Sequence, residues 1–457
     1  MTDQSINGSR RPAGSATARE TTMNFALNDE QLAFKQRCRD FARDVIRPAA
    51  PVHDADESVP WEVMRAAREQ GLSGLEVMQY TASDADGQLG LIHSEEMHWG
   101  CAGIALAING SGLAAAGVAA SGTPEQIAEW VPQCLGVGDE IKLGAYAVTE
   151  PQAGSDVKSL RTTARRDGDE WVLNGTKVFI TNGGIADVNV VVATVDPSLG
   201  HRGQASFIVP RDTPGLRMGK KESKLGIRAS QTSELVFEDC RIPVEYLLGG
   251  LDKLDRKLER ARSGESSGRA SNALATFELT RPIVGISAIG IAQAAYEWTL
   301  EFLLGDGQIS DPIELALDES STAGRPALER QHVQQVLADV ATEIDAARLL
   351  CQRASWMGRN GVPLAGGQGS MSKLKAGDVT MWATTRLIDL VGPAAASSPL
   401  EKWFRDAKIF QLFEGTAQVQ RLVISRMQVA EYRERLEEAQ AALASAEPAA
   451  EPEPALA

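Results

Sequence analysis

The stretch EWVLNGTKVFIT, from Glu170 to Thr181, decides the fold class, because it is rich in β-forming residues and lies between two long helical regions. Its two halves flank Asn174-Gly175, a dipeptide typical of two-residue hairpin turns, so we predict a hairpin here. Further strands are predicted at Val188–Val195, Ser206–Val209 and Glu234–Phe237. Residues 146–250 are therefore predicted to form a small barrel-like or sandwich β domain.

The chain before this β region is predicted to be helical. Asn28 and Gln31 have the capping-box spacing, and Pro48 is expected to end the helix that they begin. Further helices are predicted around residues 60–71, 89–100, 102–120 and 124–134. Residues 24–145 form the predicted N-terminal helical domain, and the polar residues 1–23 a predicted disordered tail.

Helical periodicity returns after the β region. Long helices are predicted at 281–304, 327–358, 371–391 and 416–443, so residues 272–443 are interpreted as a C-terminal four-helix-bundle domain. Residues 251–271 are charged and rich in Gly and Ser, which predicts a linker, and the Pro/Ala/Glu-rich residues 444–457 a second disordered tail. The predicted fold class is α+β, in the order helical, β, helical.

Composition restricts the function. The 457 residues carry a formal charge of −15, which argues against nucleic-acid binding. The five cysteines are scattered and the five histidines dispersed, which predicts reduced thiols and no metal site. We expect a cytoplasmic protein, or a mitochondrial matrix protein if the source is eukaryotic. No membrane span is expected, because no stretch of eighteen uncharged apolar residues occurs.

Two segments carry groups suited to chemistry, although no Rossmann or P-loop motif is present. The first is YAVTEPQAGSD, Tyr146 to Asp156. Its Gly-containing turn and the hydroxyls of Thr149 and Ser155 suit a flavin edge or a pyrophosphate. A capped domain junction is the alternative interpretation.

The second segment is RDAKIFQLFEGTAQVQR, Arg405 to Arg421. Glu414 lies there among Ile, Phe and Leu side chains, and a desolvated carboxylate has a raised pKa, which suits a general base. Gly415 allows a substrate to approach the backbone, and Thr416 can cap the next helix. The alternative is that Glu414 is an ordinary residue before a helix.

Together these segments resemble the acyl-CoA dehydrogenase family. Five family motifs occur in the family's order. They are T-E-P-x-A-G-S-D at Thr149–Asp156, W/F-I-T-N-G-G at Phe179–Gly184, R-x-S-x-T at Arg228–Thr232, an acid before R-P-x-V at Glu278–Val284, and R-D-A-K-I-x-Q-x-x-E-G-T-x-Q at Arg405–Gln418. The resemblance covers residues 24–432.

The resemblance implies FAD as the cofactor. It implies that the flavin and its pyrophosphate are lined by Tyr146, Val148, Thr149, Gly154 and Ser155, with Phe179 stacked on the ring and Thr181 near the nitrogen that accepts hydride. Thr416 and Gln418 would reach the cofactor from the catalytic loop. Ser155, Glu278 and Arg281 would face the CoA portion of the substrate, and Gly415 its reacting end.

The resemblance also implies a reaction. Glu414 would remove the α-proton of an acyl-CoA thioester while the β-hydride moves to FAD, giving a 2,3-enoyl-CoA, with an electron-transferring flavoprotein as acceptor. Some family members carry the base just before the Arg of R-P, a position held here by Thr280, which cannot serve. An oxidase would use the same residues with oxygen as acceptor. A non-catalytic member of the family would be a structural subunit, against which Glu414 argues, or a nucleic-acid-binding relative, against which the charge of −15 argues.

Two family motifs are missing. An R-x-x-F-G motif is replaced by Ser320–Gly324, and a G-G-x-G motif by Gly392-Pro-Ala-Ala. In the family both elements contact the FAD of a neighbouring subunit. Their loss leaves two quaternary structures open: a heteromer with a related subunit, or a homo-oligomer (dimer or tetramer) with rebuilt contacts, which we favour.

Overall fold

The protein was analysed as a computed structural model that describes residues 23–264, 272–305 and 327–445. The two predicted terminal tails lie almost wholly outside these residues, as does the segment that replaces R-x-x-F-G. The described chain has the predicted order of a helical part, a curled sheet and a second helical part.

The N-terminal part consists of eight helices: α1 (Asp29–Phe41), α2 (Arg47–Asp56), α3 (Trp61–Glu69), α4 (Gly74–Ser83), α5 (Leu89–Gly100), α6 (Ala102–Asn109), α7 (Gly112–Ser121) and α8 (Pro124–Leu135). The capping box at Asn28 and Gln31 is confirmed, since each side chain accepts the other's backbone N–H, at 2.9 and 3.0 Å. The predicted single helix at 102–120 is interrupted at Gly110-Ser111, where the Ser111 hydroxyl accepts the Gly144 N–H.

The predicted helix end at Pro48 is wrong. A π-helical segment, Ala42–Ile46, joins α1 to α2, and the helix continues to Asp56. Pro48 lies directly after this π-helical segment, in the first turn of α2.

The middle of the chain forms a seven-stranded sheet with the order β1-β4-β2-β3-β7-β6, in which β5 pairs with β4 outside this path. The strands are β1 (Gly144–Ala147), β2 (Thr163–Asp167), β3 (Glu170–Thr181), β4 (Val188–Thr194), β5 (Gln204–Pro210), β6 (Leu216–Lys221) and β7 (Thr232–Pro243). β1 and β2 pair with β4 in parallel, and the other pairs are antiparallel.

The predicted hairpin at Asn174-Gly175 is also wrong, because β3 runs through it as one strand. The pairing of β3 with β7 shifts register at this point, so the dipeptide forms a bulge. The Asn174 amide donates to the Asp239 carboxylate at 3.1 Å and accepts the Asp239 N–H at 2.9 Å. The actual turn lies at Gly168, with φ 64°, between β2 and β3.

The C-terminal part contains α9 (Gly250–Arg262), α10 (Asn272–Leu304), α11 (Gln331–Arg359), α12 (Gln368–Val391), α13 (Pro399–Ala407) and α14 (Ala417–Ser445). The linker predicted at 251–271 is wrong over its first half, which is helix α9. Leu254, Leu258 and Ala261 recur at helical spacing and are buried. Helices α10, α11 and α12 pack against one another, and α10 also packs on α5 of the N-terminal part.

Two apolar segments of the described chain, Ala102–Ser121 and Thr280–Leu304, are long enough to cross a membrane by length and composition alone. In the most apolar eighteen-residue window of each segment, 56% and 61% of the window is buried within the protein, as is also seen in core helices. Both pack into the interior that the helical parts share with the sheet.

Candidate active site

The segment between α13 and α14 presents Glu414 in a left-handed backbone conformation. Glu414 has φ 52° and Gly415 has φ 92°. The left-handed conformation costs a residue with a Cβ about 1–2 kcal/mol, so neighbouring contacts must hold Glu414 there. Thr416 caps α14 as predicted, because its hydroxyl accepts the Val419 N–H at 3.2 Å.

The Glu414 carboxylate is desolvated. Its Oε2 is buried and has no hydrogen-bond partner among the described residues. Burial raises the pKa of Glu414, and the nearby positive charges of Lys373 and Arg281 lower it to a smaller extent. A carboxylate with a raised pKa and an uncommitted oxygen can accept a proton from a weak carbon acid.

An ion pair lies beside this loop. Arg281 Nη1 bonds to the Glu278 carboxylate and donates to the Ser370 hydroxyl at 2.6 Å, while the Ser370 N–H donates to Glu278 Oε2 at 3.0 Å. Glu278 and Arg281 are 3% and 4% exposed, so the Glu278 carboxylate is engaged by the protein itself. Their contact with CoA stays a prediction.

Two further side chains hold the backbone of the loop that carries Glu414. Lys373 Nζ donates to the Gly415 carbonyl at 2.8 Å, and Gln420 Nε2 donates to the carbonyls of Glu414 and Gly415, each at 3.1 Å. The sequence reasoning missed both. A signal was present for Lys373, because it lies on the same helical face as Ala376, Thr380 and Ala383, which are buried.

The predicted flavin-contacting residues lie mainly in the sheet. The Val178 N–H donates to the Thr149 carbonyl at 2.8 Å, and Lys177 Nζ donates to the Val148 carbonyl at 2.9 Å, so the segments carrying Val148–Thr149 and Phe179 are adjacent. Lys177 is also paired with Glu150 at 2.7 Å, and both side chains are buried. This pair was likewise missed, although Glu150 lies inside the T-E-P-x-A-G-S-D motif and Lys177 only two residues before the F-I-T-N-G-G motif.

The remaining predicted residues differ in exposure. Gly154, Ser155 and Gln418 are exposed, and Thr181 is half-buried beside Gly110. The Tyr146 ring packs near Gly117 of α7, so its side chain faces the protein interior.

Phe179 provides the structural test of whether FAD fits. Phe179 is 65% exposed although it lies within β3 between the buried Val178 and Ile180, and its φ is 58°, an uncommon conformation for an aromatic residue. An exposed aromatic ring held in this way suits a planar ligand. No group of three or more His, Cys, Asp or Glu side chains among the described residues could hold a metal ion.

A helix–sheet–helix protein that carries a desolvated carboxylate at Glu414 and an exposed aromatic side chain at Phe179 suits a flavin-dependent oxidoreductase. Three family models match: the acyl-CoA dehydrogenase N-terminal domain over residues 28–136, the middle domain over 145–240 and the C-terminal domain over 270–428. The chain belongs to the acyl-CoA dehydrogenase family, whose members are FAD-dependent flavoprotein oxidoreductases of fatty acid metabolism.

Individual relatives agree with this assignment. The chain is 35% identical to the mitochondrial short-chain specific acyl-CoA dehydrogenase of Rattus norvegicus over 412 residues, 89% of this chain and 92% of that protein. It resembles the butyryl-CoA dehydrogenase structure from Megasphaera elsdenii with TM-score 0.75 and 31% identity, covering 89% and 100% of the two chains. A chain in the structure described as the electron transferring flavoprotein of Acidaminococcus fermentans has TM-score 0.74 and 31% identity, with coverage of 88% and 99%.

Proposed function

We propose that this enzyme dehydrogenates an acyl-CoA thioester between its α and β carbons, with Glu414 as the base that removes the α-proton. The observation that supports this most strongly is the buried, unpartnered Oε2 of Glu414 on a loop held by Lys373 and Gln420. Relatives named for short-chain and butyryl substrates make butyryl-CoA the first thioester to test.

The residues of the chain have three tasks in this reaction. The apolar surroundings of Glu414 keep water away and make its carboxylate basic enough for a thioester α-proton. The left-handed backbone at Glu414 and Gly415 fixes where the carboxylate points. Val148, Thr149, Phe179 and Thr181 would hold FAD, which supplies the acceptor for the β-hydride when bound.

Electron acceptor, subunit composition and location are part of this proposal. The similarity to a chain from an electron transferring flavoprotein structure favours such a flavoprotein as acceptor. A homo-oligomer is the simplest assembly, since the chain carries its own base and flavin segments. We propose the cytoplasm as the location of the enzyme. Oxygen consumption with substrate would instead identify an oxidase.

Glu414→Gln tests the assignment of the base. The substitution keeps the side-chain volume but removes the proton acceptor, so flavin reduction by butyryl-CoA should slow by about 10²–10⁴-fold. Exchange of the α-proton with deuterated solvent should stop. Glu437→Gln on the exposed surface of α14 is the matched control and should behave as wild type. Normal α-proton exchange in Glu414→Gln would show that another group is the base.

The visible spectrum of the chain purified alone tests the assembly. A flavin band would show that one kind of subunit holds FAD despite the two missing motifs. Folded protein without a flavin band would favour a heteromer whose partner completes the site.

A further inference from the structure

A buried lysine lies against the catalytic loop without any role in the reaction described so far. Lys373 is 1% exposed on the inner face of α12, and its Nζ is 2.8 Å from the carbonyl oxygen of Gly415. Placing an ammonium group in the interior is costly, so a lysine in such a position needs compensating contacts. The contacts it has are with the Gly415 carbonyl and with the charge of Glu414.

We propose that Lys373 is a positioning residue for the general base: it anchors the backbone that presents Glu414, and its charge stabilises the ionised carboxylate. The argument rests on the proposed function of Glu414. Gly415 adjoins the base directly and has φ 92°, so a charged hydrogen bond to its carbonyl holds the left-handed turn. Gln420 shares this task as a neutral donor to the same carbonyl.

The other charges around Glu414 are mostly engaged elsewhere. On α10, Arg281 is paired with Glu278 and bonded to Ser370. On α12, Asp378 accepts bonds from Gln411 at 2.8 Å and from Arg421 of α14 at 2.7 Å. From α5, the His98 ring packs edge-on against Phe410 of the catalytic segment, and burial lowers the pKa of His98 to about 4, so it is neutral. Lys373 is thus the cation near Glu414 that lacks a carboxylate partner of its own among the described residues.

The charge of Lys373 is itself dependent on pH. Burial lowers the pKa of Lys373 to about 8, although Glu414 opposes this shift. Lys373 is therefore charged at pH 7 and loses its proton as the pH rises through about 8. Below that pH it lowers the pKa of Glu414, so that more of the base is ionised.

The test is the pH dependence of kcat/KM for butyryl-CoA in wild type, Lys373→Met and Lys373→Arg. The methionine removes the charge at similar length, which should raise the pKa of Glu414. The acidic limb of the pH profile, where kcat/KM falls as the base becomes protonated, should therefore move up by about one pH unit. At pH values below this limb, kcat/KM should be about tenfold lower than in wild type. KM should change less than kcat, because the lysine is buried behind the loop. The arginine keeps the charge and should keep the acidic limb near its wild-type position.

Lys375→Met is the matched control, because Lys375 lies two residues further along α12 and pairs with Glu343 at the partly exposed surface. FAD content and melting temperature establish that each variant is folded. If Lys373→Met does not fold, Lys373→Gln keeps a polar donor without charge and should show the same shift. If the wild type is active and the acidic limbs of all folded variants coincide with its own, this inference alone is overturned. A wild type that reduces no flavin with any acyl-CoA would overturn the proposed function and this inference with it.

Discussion

The buried pair Glu150–Lys177 gives the sharpest test of what holds the flavin-side segments together. Lys177 and Glu150 have side chains 0% and 2% exposed, and the lysine also donates to the Val148 carbonyl. Removing one member of a buried pair costs about 3–5 kcal/mol, because the other charge is left uncompensated. In Lys177→Met the Glu150 carboxylate keeps the N–H groups of Arg161 and Thr162, at 2.6 and 2.9 Å. We therefore expect a loss near the lower limit, about 3 kcal/mol.

The assay is chemical unfolding followed by circular dichroism, with flavin absorbance recorded on the same samples. The double variant Glu150→Gln/Lys177→Met should recover part of the loss, since no buried charge remains. Lys220→Met, at an exposed position of β6, is the control. A loss below about 1 kcal/mol in Lys177→Met, or strictly additive effects in the double variant, would refute the reasoning.

The same pair gives a pH dependence. Burial by itself would raise the pKa of Glu150, but hydrogen bonds from Lys177, Thr162 and Arg161 bring it down to about 2. A carboxyl group whose pKa is lower in the folded state contributes stability above its unfolded pKa, and this contribution is lost as the pH falls. Wild-type stability should therefore decline between about pH 4.5 and 2 in part through Glu150, and Glu150→Gln should lack this part. Equal declines in both proteins would contradict the assignment.

Two further substitutions test other parts of the structure. Phe179→Ala should leave the stability of the flavin-free protein nearly unchanged, because Phe179 is 65% exposed. The same substitution should weaken FAD binding about tenfold, as measured by FAD titration, because ring contacts are lost. Phe25→Ala, at a ring 54% exposed, is its control, and equal FAD affinity in both variants would remove Phe179 from the flavin site. Gly226→Ala should destabilise the protein by about 1–3 kcal/mol, because its Cβ would clash with the Arg405 carbonyl where the β domain meets α13. Gly112→Ala, where the new Cβ meets nothing within 4 Å among the described residues, is the matched control for thermal unfolding.

Much of the fold was predictable from local patterns. The order of helical part, sheet and helical part follows from side-chain periodicity, because burial repeats every 3.6 residues in a helix and every two in a strand. The cap at Asn28 depends on groups three residues apart, and the desolvation of Glu414 follows from its apolar sequence neighbours. Each of these depends on interactions between residues close in the chain.

Other features were decided by partners distant in sequence. Asn174-Gly175 has the composition of a turn, yet it forms a bulge because β7 supplies Asp239 and a shifted register. The segment that forms α9 has the polar composition of a linker. It is a helix because Leu254 and Leu258 are buried against the rest of the protein.

The candidate site divides in the same way. The sequence by itself singled out Glu414 and the segments around it as candidates, because each is a run of neighbouring residues. The tertiary structure alone brings Lys373 of α12 to the Gly415 carbonyl and Arg281 of α10 to Ser370. Hydrogen bonds and charges act over a few ångströms in space whatever the separation in sequence, so the environment that sets the basicity of Glu414 is a property of the folded chain.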